Sequence, residues 1–154
     1  MKLLHESEIE ERVSILKKLR EYLTKKRDRL YSYLEVLDHE EEDILKDDAE
    51  KLKMHTEVEE NIVKEIYAFQ KVIDPLEEMY RTAYPAKNQE MSRLKESLKH
   101  IQDEALKRSK RNQKLLAESM EEVRNEIRSL RKINKNRPLY DADTQLPSMI
   151  DITT

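Results

Sequence analysis

The sequence predicts an all-α protein: an elongated antiparallel hairpin or bundle of two to three long, coiled-coil-like helices, followed by an irregular C-terminal tail. Three observations favour this class. The chain of 154 residues contains no glycine, whereas average usage of about 7% would give roughly 11. Charged residues make up 41% of the chain and hydrophobic residues 37%. Apolar residues recur every three or four positions over long stretches, which is the spacing of one helix face.

The first helix is predicted from about Ser7 to Lys46. Its apolar positions advance in steps of three, four or seven residues, a heptad pattern in which polar residues fill the skipped positions. These positions are Ile9, Val13, Leu16, Leu23, Leu30, Leu34, Leu37 and Ile44. Since neither proline nor glycine interrupts the pattern, we expect one unbroken helix of about 60 Å.

The second helix is predicted to begin after Asp47 and Asp48, because aspartate disfavours helix interiors and is a good N-terminal cap. The same aspartates are also compatible with a kink in one continuous helix, since no glycine stops the first one. The apolar pattern resumes at Leu52, Val58, Ile62, Ile66, Phe69, Ile73, Leu76 and Tyr80. Pro75 lacks a backbone N–H and is expected to bend or end this segment.

The third helix follows a predicted loop at 81–88, where Pro85 pushes Tyr84 out of the α region and the chain should reverse. It is expected to reach about Asn134. Its apolar positions are Met91, Leu94, Leu98, Ile101, Ala105, Leu116, Met120, Val123, Ile127, Leu130 and Ile133, with Arg108 and Asn112 at seam positions between the two blocks. The phase of the pattern shifts by about one residue near Leu116, which resembles a stutter.

The C-terminal segment changes character. Pro138 and Pro147 break any helix there, yet several residues, including Leu139 and Tyr140, are apolar. Such a tail packs poorly alone and is suited to docking on another surface. We therefore expect one helical domain over residues 1–134 and an irregular tail over 135–154, with the order of the tail in the absence of a partner left open.

The composition argues against most enzyme classes. Backbone that approaches a phosphate needs glycine, so P-loops, Rossmann fingerprints and nucleophile elbows are excluded. The absence of cysteine excludes disulfides, Cys-ligated zinc and thiol nucleophiles. His39 shares a helix face with Asp43, an arrangement open to adventitious metal binding, but a solvated acidic face is the simpler interpretation. We expect no enzyme, no cofactor, and neither a catalytic nor a metal site.

Charge is distributed unevenly along the chain. Residues 1–87 contain 16 basic and 22 acidic residues, whereas residues 88–137 contain 14 basic and 8 acidic ones. An acidic hairpin against a basic third helix is electrostatically self-complementary. The densest basic run, Lys107–Lys114, contains no aromatic residue for base stacking. We therefore expect no nucleic-acid partner, and interpret the run as an internal salt-bridged face or a contact with an acidic protein.

Membrane insertion is not expected either. The longest apolar runs are two or three residues, far short of a transmembrane span. The N-terminal residues Met1–Glu6 contain no apolar core of a signal peptide. These features predict a cytoplasmic protein.

One stripe of the third helix is a candidate protein-binding site. It consists of Leu116, Met120, Val123, Ile127 and Leu130, just before the irregular tail. An amphipathic helix of this kind can pair with a helix of another protein. The same stripe could instead pack on the first hairpin or form a homodimer, and spacing alone does not separate these alternatives. The apolar residues of the tail favour binding.

Several segments resemble the FlgN-type flagellar export chaperones. Residues 37–52, LDHEEEDILKDDAEKL, are similar to the stretch where that family's first helix breaks near an aspartate and restarts with an acidic turn. Residues 57–66 resemble its E…LV…I continuation, and residues 111–116 its "N-x-x-L-L" element. Residues 140–143, YDAD, resemble the "Y-D-x-x-G" of its tail, with Thr144 at the position where glycine is usual.

The resemblance implies a cytoplasmic helical chaperone of the flagellar type III export system, without a cofactor or ATP hydrolysis of its own. Its partners would be the C-terminal helical segments of hook-associated proteins and the export machinery. Client binding in the family is attributed to the C-terminal helix region. Here that region corresponds to Leu116, Met120, Val123, Ile127 and Leu130, and extends into the tail at Leu139 and Tyr140. The alternative is a structural coiled-coil or adaptor protein that acts as a homodimer with no client.

Overall fold

Three long helices make up the described part of the chain. The structure is a computed structural model and describes residues 6–83 and 89–135. Helix α1 spans Glu6–Leu45, α2 spans Ala49–Ala83 and α3 spans Gln89–Lys135. Within these described residues there is no strand, which confirms the all-α class. The predicted tail, with Leu139 and Tyr140, lies outside the described residues.

The chain divides into two compact units, and the division falls inside α3. Unit 1 comprises residues 1–115 and unit 2 comprises residues 116–154. The described part of unit 1 contains α1, α2 and the first half of α3, whereas the described part of unit 2 is the helical segment 116–135. The boundary at 134/135 between a helical domain and an irregular tail stays a prediction, because the tail lies outside the described residues.

Helices α1 and α2 are antiparallel. Arg29 Nε lies 2.6 Å from Glu65 Oε2, and the Lys26 ammonium donates a 2.6 Å hydrogen bond to Gln70 Oε1. Residues earlier in α1 thus pair with residues later in α2, as antiparallel helices require. Burial lowers the pKa of Lys26, an effect that the carboxylates of Glu77 and Asp74 oppose.

Helices α1 and α3 are parallel, and their charged pairs keep one register. Arg20 pairs with Glu90 at 2.8 Å and Arg108 with Asp38 at 2.9 Å. Arg111 pairs with Glu41 in the same register. The separation in sequence is identical in the three pairs and is a whole number of heptads. Residues at equivalent heptad positions therefore face each other along the whole contact.

The core of unit 1 is apolar and draws on all three helices. Leu19, Leu37, Ile73 and Met91 are its most deeply buried large side chains. The contiguous cluster contains Leu19, Leu23, Leu30, Ile73, Leu76, Tyr80, Met91, Leu98 and Ile101. Ile9 and Val13, which the heptad pattern of α1 assigns to the same stripe, are about half exposed. The stripe is therefore covered from Leu19 onward but not over the first turns of α1.

The turn between α1 and α2 is a Schellman motif without glycine. The N–H of Asp48 donates to the carbonyl of Asp43 at 2.9 Å, and the N–H of Asp47 to that of Ile44 at 3.1 Å. Asp47 adopts φ 54°, the left-handed conformation in which glycine is usual. Asp48 then caps α2, because its Oδ1 accepts the N–H of Lys51 at 3.2 Å. The two helices are thus separate, which decides between the two alternatives left by the sequence.

Pro75 does not end α2. The helix continues through it to Ala83, so of the two outcomes expected at this proline, a bend or an end, the end is excluded. Proline removes the hydrogen bond to the carbonyl four residues earlier, at Lys71. Lys71 is exposed, and water can satisfy that carbonyl.

A layer of buried polar groups lies near the turn end of unit 1. Asn112 Nδ2 donates a 2.8 Å hydrogen bond to the carbonyl of Leu37, and Tyr33 donates to Glu59 Oε1 at 3.2 Å. Glu40 is 5% exposed. Burial, together with a hydrogen bond to Glu59 and the negative charge of that group, raises the pKa of Glu40 to about 8. Glu40 is therefore mostly protonated at neutral pH.

Histidine and aspartate extend this polar layer. His55 Nδ1 lies 2.5 Å from Oδ2 of the buried Asp43, which links α2 to α1. The His39 ring stacks on His55 with a centroid separation of 5.1 Å and an interplanar angle of 14°. His39 and Asp43 thus both contact His55. Within residues 6–83 and 89–135 no three His, Asp or Glu side chains are arranged so that they could hold a metal ion together.

Replacing Asp47 with glycine is expected to stabilise the protein by about 0.5–1 kcal/mol, because glycine adopts positive φ without the steric cost that Asp47 bears. Urea unfolding followed by circular dichroism measures the change. Ala49→Gly is the control, since position 49 is helical and gains nothing from glycine. A less stable Asp47→Gly protein would contradict the proposed strain at this turn.

Glu40 should make stability fall as pH rises. Its pKa is about 8 in the folded state against an ordinary value of 4.5, so between these values the folded protein holds a proton that the unfolded chain releases. The free energy of unfolding should decrease through this window, by up to about 1.4 kcal/mol per pH unit. Glu40→Gln should remove most of that slope, measured by urea unfolding at several pH values.

The control for this measurement is Glu35→Gln, which removes the same charge from an exposed position of α1. This variant should retain the pH dependence of the unmodified protein. Equal slopes for Glu40→Gln and the unmodified protein would show that Glu40 is ionised in the folded state throughout the window.

Candidate protein-binding surface

Apolar residues of α3 are buried in unit 1 and exposed in unit 2. In unit 1, Leu98 and Ala105 are at most 4% exposed. In unit 2, the exposed fractions of Leu116, Met120, Val123 and Leu130 lie between 38% and 59%. The apolar residues of α3 therefore belong to the core in unit 1 and to the surface in unit 2.

The pairing of α3 with α1 extends to the end of unit 1. The constant register of the α1–α3 ion pairs places Leu45, the last residue of α1, level with Leu115. Asn112, one turn before that level, is buried and bonded to α1.

The five helical residues predicted to bind a client share one surface. Leu116, Met120, Val123, Ile127 and Leu130, here called the α3 stripe, occupy an arc of roughly 80° on the helix. Ile127 is half-buried and the other four are exposed. The two remaining predicted residues, Leu139 and Tyr140, lie outside the described residues. The structure thus brings together the helical part of the predicted site.

Charged flanks of the stripe were missed by the sequence reasoning. Arg124 and Arg131 border it on one side, with Arg128 and Lys135 behind them. Glu126 borders it on the other side, with Glu122 behind it. All six side chains are exposed. Plotting the sequence on a helical wheel would have separated these two flanks, whereas counting apolar positions alone did not.

Part of the basic run Lys107–Lys114 forms ion pairs within unit 1. Arg108 reaches Asp38 at 2.9 Å and Glu104 at 3.1 Å, and Arg111 pairs with Glu41. This agrees with the interpretation of the run as an internal salt-bridged face. Since these pairs are partly exposed, each is worth at most about 1 kcal/mol. They define the register of α3 on α1 more than they add stability.

A second apolar surface lies in unit 1. It is a groove of about 400 Å³ whose lining includes Tyr33, Val63, Ile66, Tyr67 and Leu106. Tyr67 and Leu106 are well exposed. The groove is a local depression, whereas the α3 stripe presents five apolar residues in succession along the helix. The stripe is therefore the better candidate for binding a helix.

The described helices contain no membrane-crossing candidate: none of those within residues 6–83 and 89–135 is long and apolar enough to span a bilayer. The stripe itself alternates with charged residues at every turn. Its chemistry is that of a surface for another amphipathic helix, since apolar side chains at heptad spacing interlock with those of a partner.

Comparison with known proteins finds an uncharacterized protein of Treponema pallidum (strain Nichols). The two sequences are 27% identical over 126 residues, which are 82% of this chain and 81% of the Treponema protein. No family model matches the chain, and no solved structure matches it significantly. The matched length shows that the similarity to the Treponema protein extends over most of the chain.

Proposed function

We propose that the protein is an export chaperone of the flagellar type III secretion system. It binds the C-terminal helical segments of hook-associated proteins through the α3 stripe, prevents their premature assembly and delivers them to the export machinery. In this role it works in the cytoplasm, without an enzymatic activity or a cofactor. The resemblance of residues 37–52, 57–66, 111–116 and 140–143 to FlgN-type chaperones supports the proposal.

The observation that carries the proposal is the exposure of the α3 stripe. Leu116, Met120, Val123 and Leu130 present apolar surface along one side of a continuous helix. Single exposed apolar residues are normal on a protein surface, but a contiguous row of them marks an interaction site. Met120 adds an adaptable side chain, which suits a surface that binds more than one client sequence.

The size of the stripe also suits a chaperone that must release its client. A segment that folds on binding loses about 2–5 kcal/mol of the gross contact energy to ordering. Five apolar residues supply limited burial, at about 25 cal/mol per Å². The resulting complex is expected to be reversible, as delivery to an export apparatus requires.

A structural coiled-coil protein that acts as a homodimer with no client is the second candidate. Ile127 and Leu130 favour it, because they occupy the a and d positions of the stripe's heptad and this combination is typical of two-stranded coiled coils. Sedimentation equilibrium separates the two functions. A monomer at micromolar concentration that binds client peptide supports the chaperone, whereas a stable dimer without peptide binding supports the structural protein.

Val123→Asp is expected to weaken client binding at least about tenfold, because it places a charge in the centre of the apolar contact. Isothermal titration with the C-terminal peptide of a hook-associated protein from the same organism measures the affinity. Asn125→Asp is the matched control: it adds the same charge on the opposite, exposed side of α3 and should bind as the unmodified protein does.

Both variants should keep the helical circular dichroism of the unmodified protein, since position 123 is exposed. The proposal is contradicted if the unmodified protein does not bind the peptide at high micromolar concentration. It is also contradicted if Val123→Asp and Asn125→Asp bind equally well, because the client would then contact another surface.

A further inference from the structure

The α3 stripe has one basic and one acidic side. In heptad terms, Arg124 and Arg131 are both at position e and Glu126 is at position g, the positions that lie next to a paired helix. Arg128 and Lys135 reinforce the basic side. The partition is not imposed by the apolar pattern, since either flank could carry either charge. The separation of the charges therefore indicates which charges the partner of the stripe carries.

Arg124 makes only a weak contact within its own helix. Its Nη1 lies 3.7 Å from Glu121 Oε2, and both side chains are more than half exposed. An ion pair this exposed contributes little, because solvent screens it. Arg124 can therefore leave Glu121 and pair with a carboxylate on a docked helix at little cost in free energy.

We infer that the partner of the α3 stripe is an amphipathic helix of about three heptads with oppositely charged flanks. Carboxylates lie along the flank that faces Arg124 and Arg131, and lysine or arginine lies along the flank that faces Glu126. The inference rests on the proposed function, because it takes the stripe to bind a helix of another protein. It specifies the chemistry that a client segment needs.

A second copy of this chain fits the two flanks less well. In a parallel pair, position g of one helix faces the following e position of the other, so Glu126 would meet Arg131 but Arg124 would meet Ser119. In an antiparallel pair, e faces e, and the basic flanks of the two copies would meet. A client with a carboxylate opposite each arginine satisfies both positions.

The stripe and its flanks contribute differently to recognition. The apolar stripe allows a helix to bind, and the charged flanks restrict which helix binds. Arg131 and Glu126 lie on opposite sides of the same row, so a partner's affinity depends on the order of its charges as well as on its hydrophobicity. This selectivity suits a chaperone that must distinguish its clients from other amphipathic helices.

Synthetic helical peptides test this chemistry directly. Two peptides of identical composition carry leucine at a and d; one has glutamate at e and lysine at g, and the other has the reverse. A third has the same residues mixed along both flanks. The peptide with glutamate at e matches the stripe in an antiparallel pair, and its reverse matches in a parallel pair. At least one of these two peptides should therefore bind about tenfold more tightly than the mixed peptide. Fluorescence anisotropy at low salt measures the affinities, and high salt should reduce the difference.

Charge reversal on the protein provides the second arm. Arg124→Glu combined with Arg131→Glu makes both flanks acidic, so the preference for an asymmetric peptide should disappear and a peptide with lysine on both flanks should bind best. The matched control is Lys114→Glu combined with Lys132→Glu, which makes the same charge change on the exposed side of α3 opposite the stripe. This control should retain the original preference.

The outcomes separate this inference from the proposed function. Binding of a hook-associated peptide with no effect of the arginine reversals overturns the inference and leaves the chaperone function standing. Flank-selective binding of the synthetic peptides without binding of hook-associated peptides supports the inference and contradicts the chaperone function. Equal binding of all the peptides, or binding of none, overturns the inference. The inference is also overturned if the arginine reversals alter only the self-association measured by sedimentation, because the stripe then binds a second copy of this chain.

Discussion

The left-handed turn at Asp47 determines where α1 ends and how α2 follows it. A Schellman motif with two backbone hydrogen bonds closes α1 at Leu45, and Asp48 begins α2 directly. Because α1 and α3 run in parallel in one constant register, the end of α1 corresponds to Leu115, the last residue of unit 1. Within unit 1 the apolar residues of α3 contribute to the core, whereas those of the α3 stripe in unit 2 are exposed surface.

The buried polar layer gives the three helices a defined register that apolar packing alone would leave loose. Heptad stripes can slide by one heptad and still bury leucine against leucine. A slip would leave Asn112 without the Leu37 carbonyl and separate Asp43 from His55. Buried polar groups without partners cost about 1–3 kcal/mol each. The polar contacts therefore disfavour the alternative registers.

The helices themselves follow from local sequence. Heptad spacing predicted α1 and the end of α3 to within one or two residues, because apolar periodicity is a local property. It also predicted Asn112 at a seam position and the five helical residues of the stripe. It did not decide whether α1 stops or bends at Asp47, since aspartate tolerates both the left-handed conformation and a helix start.

The pairing of these helices follows from tertiary packing. Leu98 in unit 1 and Val123 in unit 2 are both apolar residues of a helical pattern, yet one is buried and the other exposed, a difference that periodicity alone does not contain. Helix α2 continues through Pro75, since surrounding contacts hold a helix that local propensity would end. Likewise, Glu40 resembles any other surface acid in the sequence, and its pKa is raised because the fold buries it and brings Glu59 beside it.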